Sequence, residues 1–585
     1  MFFPKQGINF QVHSRVPRPS LSLESCFTLR SVFWIVAFTA LLSWPAKATA
    51  QQQEAQQSSR LPPAQAATSA CTAPGFGNAH HAVKTISPEA QKMFDRAVAL
   101  DYGFNHNQAQ RCFQRAAELD PQMAMAYWGI ALVQGTNYNM PVDADGEKQA
   151  YAAVQKALAL SAGGPAKERD YIQALAKRYT DAPNPDYDKL EAAYHDAMRE
   201  VYKRYPDDLD AATLFAESGM NLHPWKLYDR DGKPAPGTGE IVSVLQSVLK
   251  RDPTHLGANH FYIHSVEASS HPEMALASAH RLAGLAPASG HLVHMPAHIY
   301  IRTGDHEASE KTNEVAARAD EAYFAVAHPQ GIYPMMYYSH NLHFISVENA
   351  FLGNYAASLV AARKVQEFVG PHVKELEALD AFYSLPLEIM VRFHRWTDIL
   401  AEAQPDPSFA ISNGTWRFAR ALAAANGGKL DQARAELAAL QSATPEMIKI
   451  STNPVGPHNA EMIPQIMAHL AEAHIARQQE QADAAINHLR SAVALQDALD
   501  YDEPPDWLYP LREPLGAALL KAGKTSEAES VFREDLKRNP NNARSWFGLA
   551  ESLKAEGRAA EAAAAQEKFE KGWKKADMKL ALAEM

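Results

Sequence analysis

Histidines are concentrated in one central segment of this 585-residue sequence. The stretch from His255 to His343 holds 12 of the chain's 24 histidines. Neighbouring positions within it are three or four residues apart in three sets: His260, His264 and Glu267; His294 and His298; His340 and His343. A helix turns by about 100° per residue, so each set projects from one helix face. The spacing therefore predicts three helices that each present imidazoles in one direction.

Metal binding is the first chemistry that this pattern indicates. Neutral imidazole binds zinc, copper, nickel and iron, and histidines four residues apart on a helix present two nitrogens on one side. The hypothesis is a transition metal ion, such as zinc, copper or iron, held by His260, His264, Glu267, His294, His298, His340 and His343. Glu267 either binds the ion or fixes the tautomer of an imidazole. Two other interpretations stay open: a hydrogen-bonded polar core, and a pocket for an organic ligand or a peptide.

The same segment carries side chains suited to holding a ligand: Tyr262, Tyr300, Arg302, Tyr337 and Asn341. Arg302 lies one turn after His298 and is placed to bind a carboxylate or phosphate through two hydrogen bonds. The alternative for Arg302 is a solvated charge or an ion pair. Pro296 removes one helical hydrogen bond, so the helix bends there or begins there. If it begins there, His291 and His294 lie in the loop before the helix.

A weak repeat indicates which elements position these side chains. The stretches "NHNQAQRCFQRAAELDP", "HPEMALASAHRLAGLAP" and "GKTSEAESVFREDLKRNP" can be laid over one another, and looser copies bring the number of helical hairpins to about nine. Each copy has a small residue, often an aromatic residue four positions later, and a terminal proline. Small side chains let two helices approach while the aromatic ring fills the gap beside them, and proline ends the second helix.

This pattern resembles the tetratricopeptide repeat (TPR) family, best over residues 90–135 and 509–575. The resemblance implies an all-α fold, a TPR-like helix-turn-helix solenoid built as a right-handed superhelix of antiparallel hairpins. It also implies that the first helix of each hairpin lines a concave groove, so that the three histidine sets meet in one groove. The stretches "GANHFYIHSVE", "GHLVHMPAHIYIR" and "YYSHNLHF" look more particularly like exported bacterial TPR proteins, a resemblance that implies no chemistry.

The N-terminal region has the features of an export signal. Arg30 precedes the apolar run "SVFWIVAFTALLSW", and Ala48 and Ala50 form a small-x-small cleavage site before Gln51. The run is shorter than the roughly 20 residues that span a bilayer. Residues 1–50 are therefore predicted to be a signal peptide and 51–85 a disordered tether. The rest divides into N-terminal hairpins (86–205), central histidine-rich hairpins (206–395) and C-terminal TPR repeats (396–585).

Charge and cysteine content limit the partners of the mature chain. Without residues 1–50 its formal charge is −15, which argues against nucleic acid and anionic lipid. Cys71 and Cys112 remain and can form at most one disulfide. No phosphate-binding glycine loop, nucleophile elbow or zincin motif is present.

The sequence thus predicts an exported TPR-repeat binding or scaffold protein, periplasmic or secreted, with no membrane span in the mature chain. The expected partner is a protein or peptide, with a small ligand as a further possibility, and no nucleic acid is expected. A solenoid offers an extended binding surface rather than a dedicated catalytic cleft. The alternative is a metal-dependent enzyme with a histidine-rich site in the groove.

Overall fold

The fold was taken from a computed structural model, which describes residues 71–329, 331–451 and 459–585. Over these residues the chain is helical and contains no β-strand, only isolated bridges at Asn137–Met140 and Tyr228–Pro234. The expected all-α fold of TPR-like hairpins is confirmed. The predicted signal peptide and residues 51–70 of the predicted tether lie outside the described residues.

Between residue 88 and the first histidine set, the described residues form eight α-helices. They are α1 (Pro88–Asp101), α2 (His106–Leu119), α3 (Ala124–Leu132), α4 (Ala144–Ser161), α5 (Ala166–Leu175), α6 (Tyr187–Arg204), α7 (Leu209–Met220) and α8 (Thr238–Arg251). Several of them begin with a side chain that accepts a backbone N–H of the first turn, as Ser87 does from Ala90 and Asp186 does from Lys189.

The central part carries the histidine sets. Its α-helices are α9 (Leu256–Val266), α10 (Leu276–Leu285), α11 (Gly290–His294), α12 (Pro296–Thr303), α13 (His306–Ala327), α14 (Ser339–Phe351), α15 (Tyr355–Val369), α16 (Asp380–Tyr383) and α17 (Leu385–Arg392). A 3₁₀ turn, Pro272–Ala275, precedes α10, and a π-helical turn, Tyr333–Tyr338, leads into α14. Two further 3₁₀ turns, Gly370–His372 and Glu377–Leu379, precede α16.

The C-terminal part continues the hairpins. Its helices are α18 (Trp396–Ala401), α19 (Ala410–Asn426), α20 (Leu430–Ser451), α21 (Met462–Gln478), α22 (Ala482–Asp497), α23 (Arg512–Lys521), α24 (Thr525–Arg538), α25 (Ala543–Ala555) and α26 (Ala559–Gly572), followed by a 3₁₀ turn at Leu582–Glu584.

Small residues and aromatic rings lock the hairpins together as the repeat pattern predicts. The ring of Phe532 on α24 lies between Gly516 and Gly548, where an added Cβ would come within 2.4 and 2.2 Å of the ring. Phe113 on α2 faces Gly129 on α3 in the same way, at 2.4 Å. A larger residue at these glycines would force the helices apart.

Residues 71–85 differ from the expected tether. Cys71 is buried and forms a disulfide with Cys112 on α2. The carbonyl of Gly75 accepts the N–H of Ala288 at 2.8 Å. His81 is also buried, and its Nδ1 lies 2.7 Å from a carboxylate oxygen of Asp210. The prediction of disorder is wrong for this stretch, because long-range contacts order a segment whose own composition carries no helix or strand signal.

The C-terminal hairpins pack back onto the central ones. Asn541 donates its side-chain N–H to the carbonyl of Gly304 at 3.2 Å. The carboxylate of Asp577 accepts the backbone N–H groups of Tyr355 and Ala356, at 3.0 and 2.8 Å, at the start of α15. These contacts join segments more than 200 residues apart in the sequence.

Candidate metal centre

Six imidazoles from four helices form one continuous cluster in the central part. α9 contributes His260 and His264, α11 His291 and His294, α12 His298, and α14 His340. Ring centroids of adjacent members lie 4.7 to 6.1 Å apart. Five of the rings are at most 2% exposed, and His340 is the partly exposed member.

Helix α9 places its two histidines inside the molecule because every one of its residues is buried. It can approach its neighbours closely, since Gly257 faces the ring of Tyr102, where a Cβ would come within 2.6 Å. His260 and His264 stand four residues apart and share the helix side that faces α11 and α12.

Pro296 separates α11 from α12 without turning the chain aside. Met295, between the two helices, keeps α-helical backbone angles (φ −49°, ψ −34°). His294 and His298 therefore remain on one face across the break. Their Nε2 atoms lie 2.8 Å apart.

The outward-facing nitrogens of four imidazoles have acceptors that fix their tautomers. The Nδ1–H of His260 donates to the carbonyl of Tyr102 at 2.7 Å. The carboxylate of Glu267 accepts from the Nδ1–H of His264 at 2.9 Å and from that of His298 at 2.7 Å. In each case the proton on Nδ1 leaves a lone pair on Nε2, which points into the cluster.

Asn313 on α13 fixes His294 in the same tautomer. The side-chain N–H of Asn313 donates to the carbonyl of Ser309 at 2.9 Å, so its oxygen faces His294. That oxygen accepts the Nδ1–H of His294 at 2.6 Å. Histidines that bind metals usually donate their second ring N–H to such an acceptor.

The consequence is a group of imidazole nitrogens that face one another in a buried interior. In the neutral Nδ1–H tautomer of both rings, the Nε2 lone pairs of His294 and His298 face each other at 2.8 Å. The Nε2 of His264 has no hydrogen-bond partner among the described residues. The Nε2 of His291 lies 3.1 Å from that of His260.

Protonation of the imidazoles is disfavoured at this site. Burial lowers the pKa of His260, His291, His294 and His340 well below the usual value, and neighbouring imidazoles add to the effect. Burial opposes ionisation of Glu267, but contact with His264 and His298 brings its pKa down to about 2. Burial therefore favours the neutral form of these four imidazoles, and the Glu267 carboxylate lies behind His264 and His298.

Aromatic rings surround the cluster and exclude water. Phe104, whose backbone is left-handed (φ 54°), lies nearly parallel to His264 and His291 at centroid distances of 5.8 and 5.5 Å. Tyr337, at the end of the π-helical turn, contacts His291 at 4.5 Å. Phe344 contacts His294, His298 and His340 at 4.8 to 5.4 Å.

The predicted ligand-binding residues take other roles, apart from Tyr337. Arg302 donates to the carbonyls of Glu267 and Ser269 at 3.1 and 3.2 Å, so it holds the end of α9. Tyr262 accepts a hydrogen bond from Gln246, and Tyr300 packs beside His280. The side chain of Asn341 is buried and donates to Asp320 at 2.7 Å.

The expectation of histidines lining an open groove is wrong, because α9, α11 and α12 are covered by neighbouring elements. His343 does not join the cluster: its ring lies edge-on to Phe382 at 5.6 Å. His291 and Asn313 were not among the predicted ligands. His291, His294 and His298 follow an i, i+3, i+7 pattern that signals one helix face, and the intervening proline hides it.

A second group of possible ligands, His81, Asp208 and Asp210, is balanced by protein cations instead. The Nζ of Lys167 lies 2.9 Å from Asp208. Burial opposes the ionisation of Asp210, but hydrogen bonds from His255 and His81 lower its pKa. This group therefore forms an ion-pair network between the N-terminal segment and α7.

Sequence similarity to a known family covers the last hairpins. Residues 514–576 match the tetratricopeptide repeat family. Among curated proteins none matches the chain. Of the described helices, none combines the length and apolar character needed to cross a membrane.

Several solved helical-repeat structures align with most of the chain at low similarity. The human IFIT1 dimer with m7Gppp-AAAA is 12% identical, with 92% of this chain and 97% of that chain covered and a TM-score of 0.32. The TPR domain of P58(IPK) is 13% identical (80% and 99% covered, TM-score 0.21). The APC/C hetero-tetramer Cut9–Hcn1 is 13% identical (86% and 84% covered, TM-score 0.29). These scores support no correspondence between sites, and the expected absence of nucleic acid stays a prediction.

Proposed function

We propose that this chain is an exported TPR-like scaffold protein whose central hairpins hold a transition metal on buried imidazoles. The observation that carries the proposal is the 2.8 Å between the Nε2 atoms of His294 and His298, both of which already donate through Nδ1. Two facing lone pairs at this distance repel each other. A metal cation bound between the two Nε2 atoms would accept both lone pairs in metal–nitrogen bonds and so remove this repulsion.

The geometry fits a metal with a small adjustment. Metal-to-imidazole bonds are about 2.0 to 2.1 Å long, so two nitrogens on one tetrahedral ion lie about 3.3 Å apart. The pair would separate by about half an ångström on binding. The competing explanation is a proton shared between the rings, and burial disfavours that proton on His294 by lowering its pKa. An apolar packing role would not need four oriented N–H groups.

The donor set favours a borderline metal ion. Imidazole suits zinc, copper, nickel and iron, whereas magnesium and calcium prefer oxygen ligands. Glu267 acts through His264 and His298 and places a negative charge behind two ligands. Zinc, copper and iron all remain candidates on this basis.

Export and scaffolding rest on separate observations. The Cys71–Cys112 disulfide suits an oxidising compartment, in agreement with the predicted signal peptide. TPR-like hairpins form an extended surface that favours a protein or peptide partner. Mature protein from the producing cell should begin near Gln51 and be found outside the cytoplasm. A soluble mature chain that retains Arg30 would contradict export.

The metal assignment is tested on mature protein carrying no histidine tag. Elemental analysis should find near-stoichiometric transition metal after dialysis against metal-free buffer. The double variant His294→Ala/His298→Ala should lose the metal and keep its helical circular dichroism. His343→Ala is the matched control, since it removes an imidazole of the same segment that lies outside the cluster. A wild-type protein that binds no transition metal would refute the proposal.

A metal-dependent enzyme is the second candidate, because His340 is the one partly exposed member of the cluster. Through it a small molecule could reach a metal that has an open coordination position. Azide added to the copper- or cobalt-loaded protein should then shift its visible absorption. An unchanged spectrum would favour a closed, structural metal.

A further inference from the structure

The six imidazoles divide into two sets of three. His260, His264 and His291 form one set, and His294, His298 and His340 form the other; within each set one nitrogen per ring lies within 4.8 Å of the others. Three histidines are a complete protein ligand set for a metal ion that keeps one position open. One ion cannot use all six imidazoles in a tetrahedral site.

The two sets lie side by side. The rings of His264 and His298 are 5.8 Å apart, and those of His291 and His294 are 6.1 Å apart. Both distances are comparable with the ring separations inside each set, which run from 4.7 to 6.2 Å. Metal ions bound by the two sets would be close enough to share a small ligand, since dinuclear sites have separations of about 3.5 to 4 Å.

Glu267 links the sets through a single carboxylate. One of its oxygens accepts from His264 of the first set, and the other accepts from His298 of the second. Each set also contains one further histidine whose Nδ1–H is held by an acceptor: His260 by the carbonyl of Tyr102 in the first set, and His294 by Asn313 in the second. Each set thus has two imidazoles whose Nε2 is committed to face inward.

We infer that the cluster is a dinuclear centre in which each set binds one metal ion and a small anion bridges them. The inference rests on the proposed function and adds to it the number of ions and the class of ligand. Copper is the metal that six imidazole nitrogens would hold most tightly, because divalent affinities peak at copper and the Glu267 oxygens are already engaged by His264 and His298. Phe104, Tyr337 and Phe344 fill the space around the rings and limit the ligand to a few atoms.

The test is a copper titration of the apo protein, followed by electron paramagnetic resonance (EPR). The wild type should bind two Cu(II) ions per chain. With azide present, its EPR signal should account for much less than the bound copper, because two bridged Cu(II) ions couple magnetically. One ion per chain in the wild type would overturn the inference while leaving the proposed function intact. A wild type that binds no copper and no other transition metal would remove both.

Set-specific variants separate the two ions. His291→Ala in the first set and His340→Ala in the second should each bind one Cu(II) that is fully visible by EPR. His343→Ala should keep two ions and the coupled signal. Loss of all copper from either single variant, with helical content retained, would show one shared ion and overturn the inference. Because the wild-type stoichiometry alone is decisive, a variant that fails to fold leaves the test intact.

Discussion

Two buried polar clusters in this chain each contain a buried carboxylate, but different kinds of side chain donate hydrogen bonds to it. In the C-terminal part, the carboxylate of Glu513 accepts from Arg392 at 2.6 Å and from Arg544 at 2.7 Å, and Asn542 donates to it as well. In the central part, the carboxylate of Glu267 accepts from His264 and His298, whose other nitrogens face further imidazoles. Arginine side chains balance the first cluster. In the second, imidazole nitrogens face one another, with no arginine or lysine hydrogen-bonded to the Glu267 carboxylate among the described residues.

The two clusters differ in how a buried polar group is satisfied. Burying a polar group is costly unless it is hydrogen-bonded, and burying a charge is costlier unless it is paired. Glu513 meets that condition inside the protein, since burial opposes its ionisation but Arg392 and Arg544 lower its pKa. Under the proposed function, a metal cation would play the corresponding part in the histidine cluster.

Removing the metal with a chelator should produce the largest difference between the two regions. Free metal at a thousand times its dissociation constant stabilises the folded state by about 4 kcal/mol. Stripping the metal should therefore increase amide hydrogen exchange most in α9, α11 and α12, which carry five of the six imidazoles, and much less in α23–α26, which carry none and meet the central part through separate contacts such as Asn541 with Gly304. Hydrogen-exchange mass spectrometry checks this. Equal loss in both regions would contradict a local metal.

Glu513→Gln should produce the reverse pattern. The neutral amide leaves Arg392 and Arg544 as buried, uncompensated charges, and removing one partner of such a group costs about 3 kcal/mol or more. Denaturant unfolding should show that loss, while metal content stays at the wild-type value. Reduced metal binding in this variant would mean that the two clusters are coupled through the packing of the C-terminal hairpins on the central ones.

Asn313→Ala should lower the affinity of the site for the metal without abolishing binding. The variant deprives His294 of the acceptor that holds its Nδ1–H, and loss of such a partner lowers metal affinity by about 10- to 100-fold. Competition with a chelator of known affinity measures the change. Asn349→Ala, an asparagine on α14 whose side-chain N–H donates to the carbonyl of Ile345, is the matched control. The control variant should bind metal as the wild type does.

Asp101→Asn extends the comparison to a buried carboxyl with no arginine hydrogen bond. Burial, reinforced by Glu217, raises the pKa of Asp101 to about 8. Since the folded pKa lies above the unfolded value, wild-type stability is lost as pH rises from about 4 toward 8. Asparagine cannot ionise, so the stability of the variant relative to the wild type should rise by up to about 1.4 kcal/mol per pH unit between the unfolded and folded pKa values. Urea unfolding from pH 5 to 8 should show the gain increasing with pH.

Local pattern was enough to predict the hairpins and to group four of the six clustered imidazoles into pairs. Helix spacing grouped His260 with His264 and His294 with His298, because residues four apart share a helix face whatever lies around them. The small and aromatic residues of the repeat likewise predicted close helix packing in general terms, and the structure shows it where Phe532 lies against Gly516 and Gly548. His343 shows the limit of the method. A helical interval from His340 places it near the same face, yet it packs against Phe382.

Residues distant in the sequence supplied what spacing could not predict. The acceptor for His260 is a carbonyl 158 residues away, and Glu267 reaches His298 across 31 residues. Residues 71–85 are ordered by the disulfide to α2 and by the contact with Ala288. The two members of each pair are not related by the spacing of a helix or of the repeat, so no sequence pattern predicts these contacts.

The sequence by itself determined that helices would form, which of their faces would carry imidazoles, and that these imidazoles would be neighbours in a hairpin array. Only the tertiary structure decided that the array would bury them rather than line an open groove, and which ring nitrogen of each would point inward. The physical reason is that helix periodicity is set by local backbone geometry, whereas burial and tautomer depend on the elements packed around each ring. An imidazole presents a free nitrogen lone pair for metal binding when the N–H of its other ring nitrogen donates to an acceptor that lies far away in the sequence.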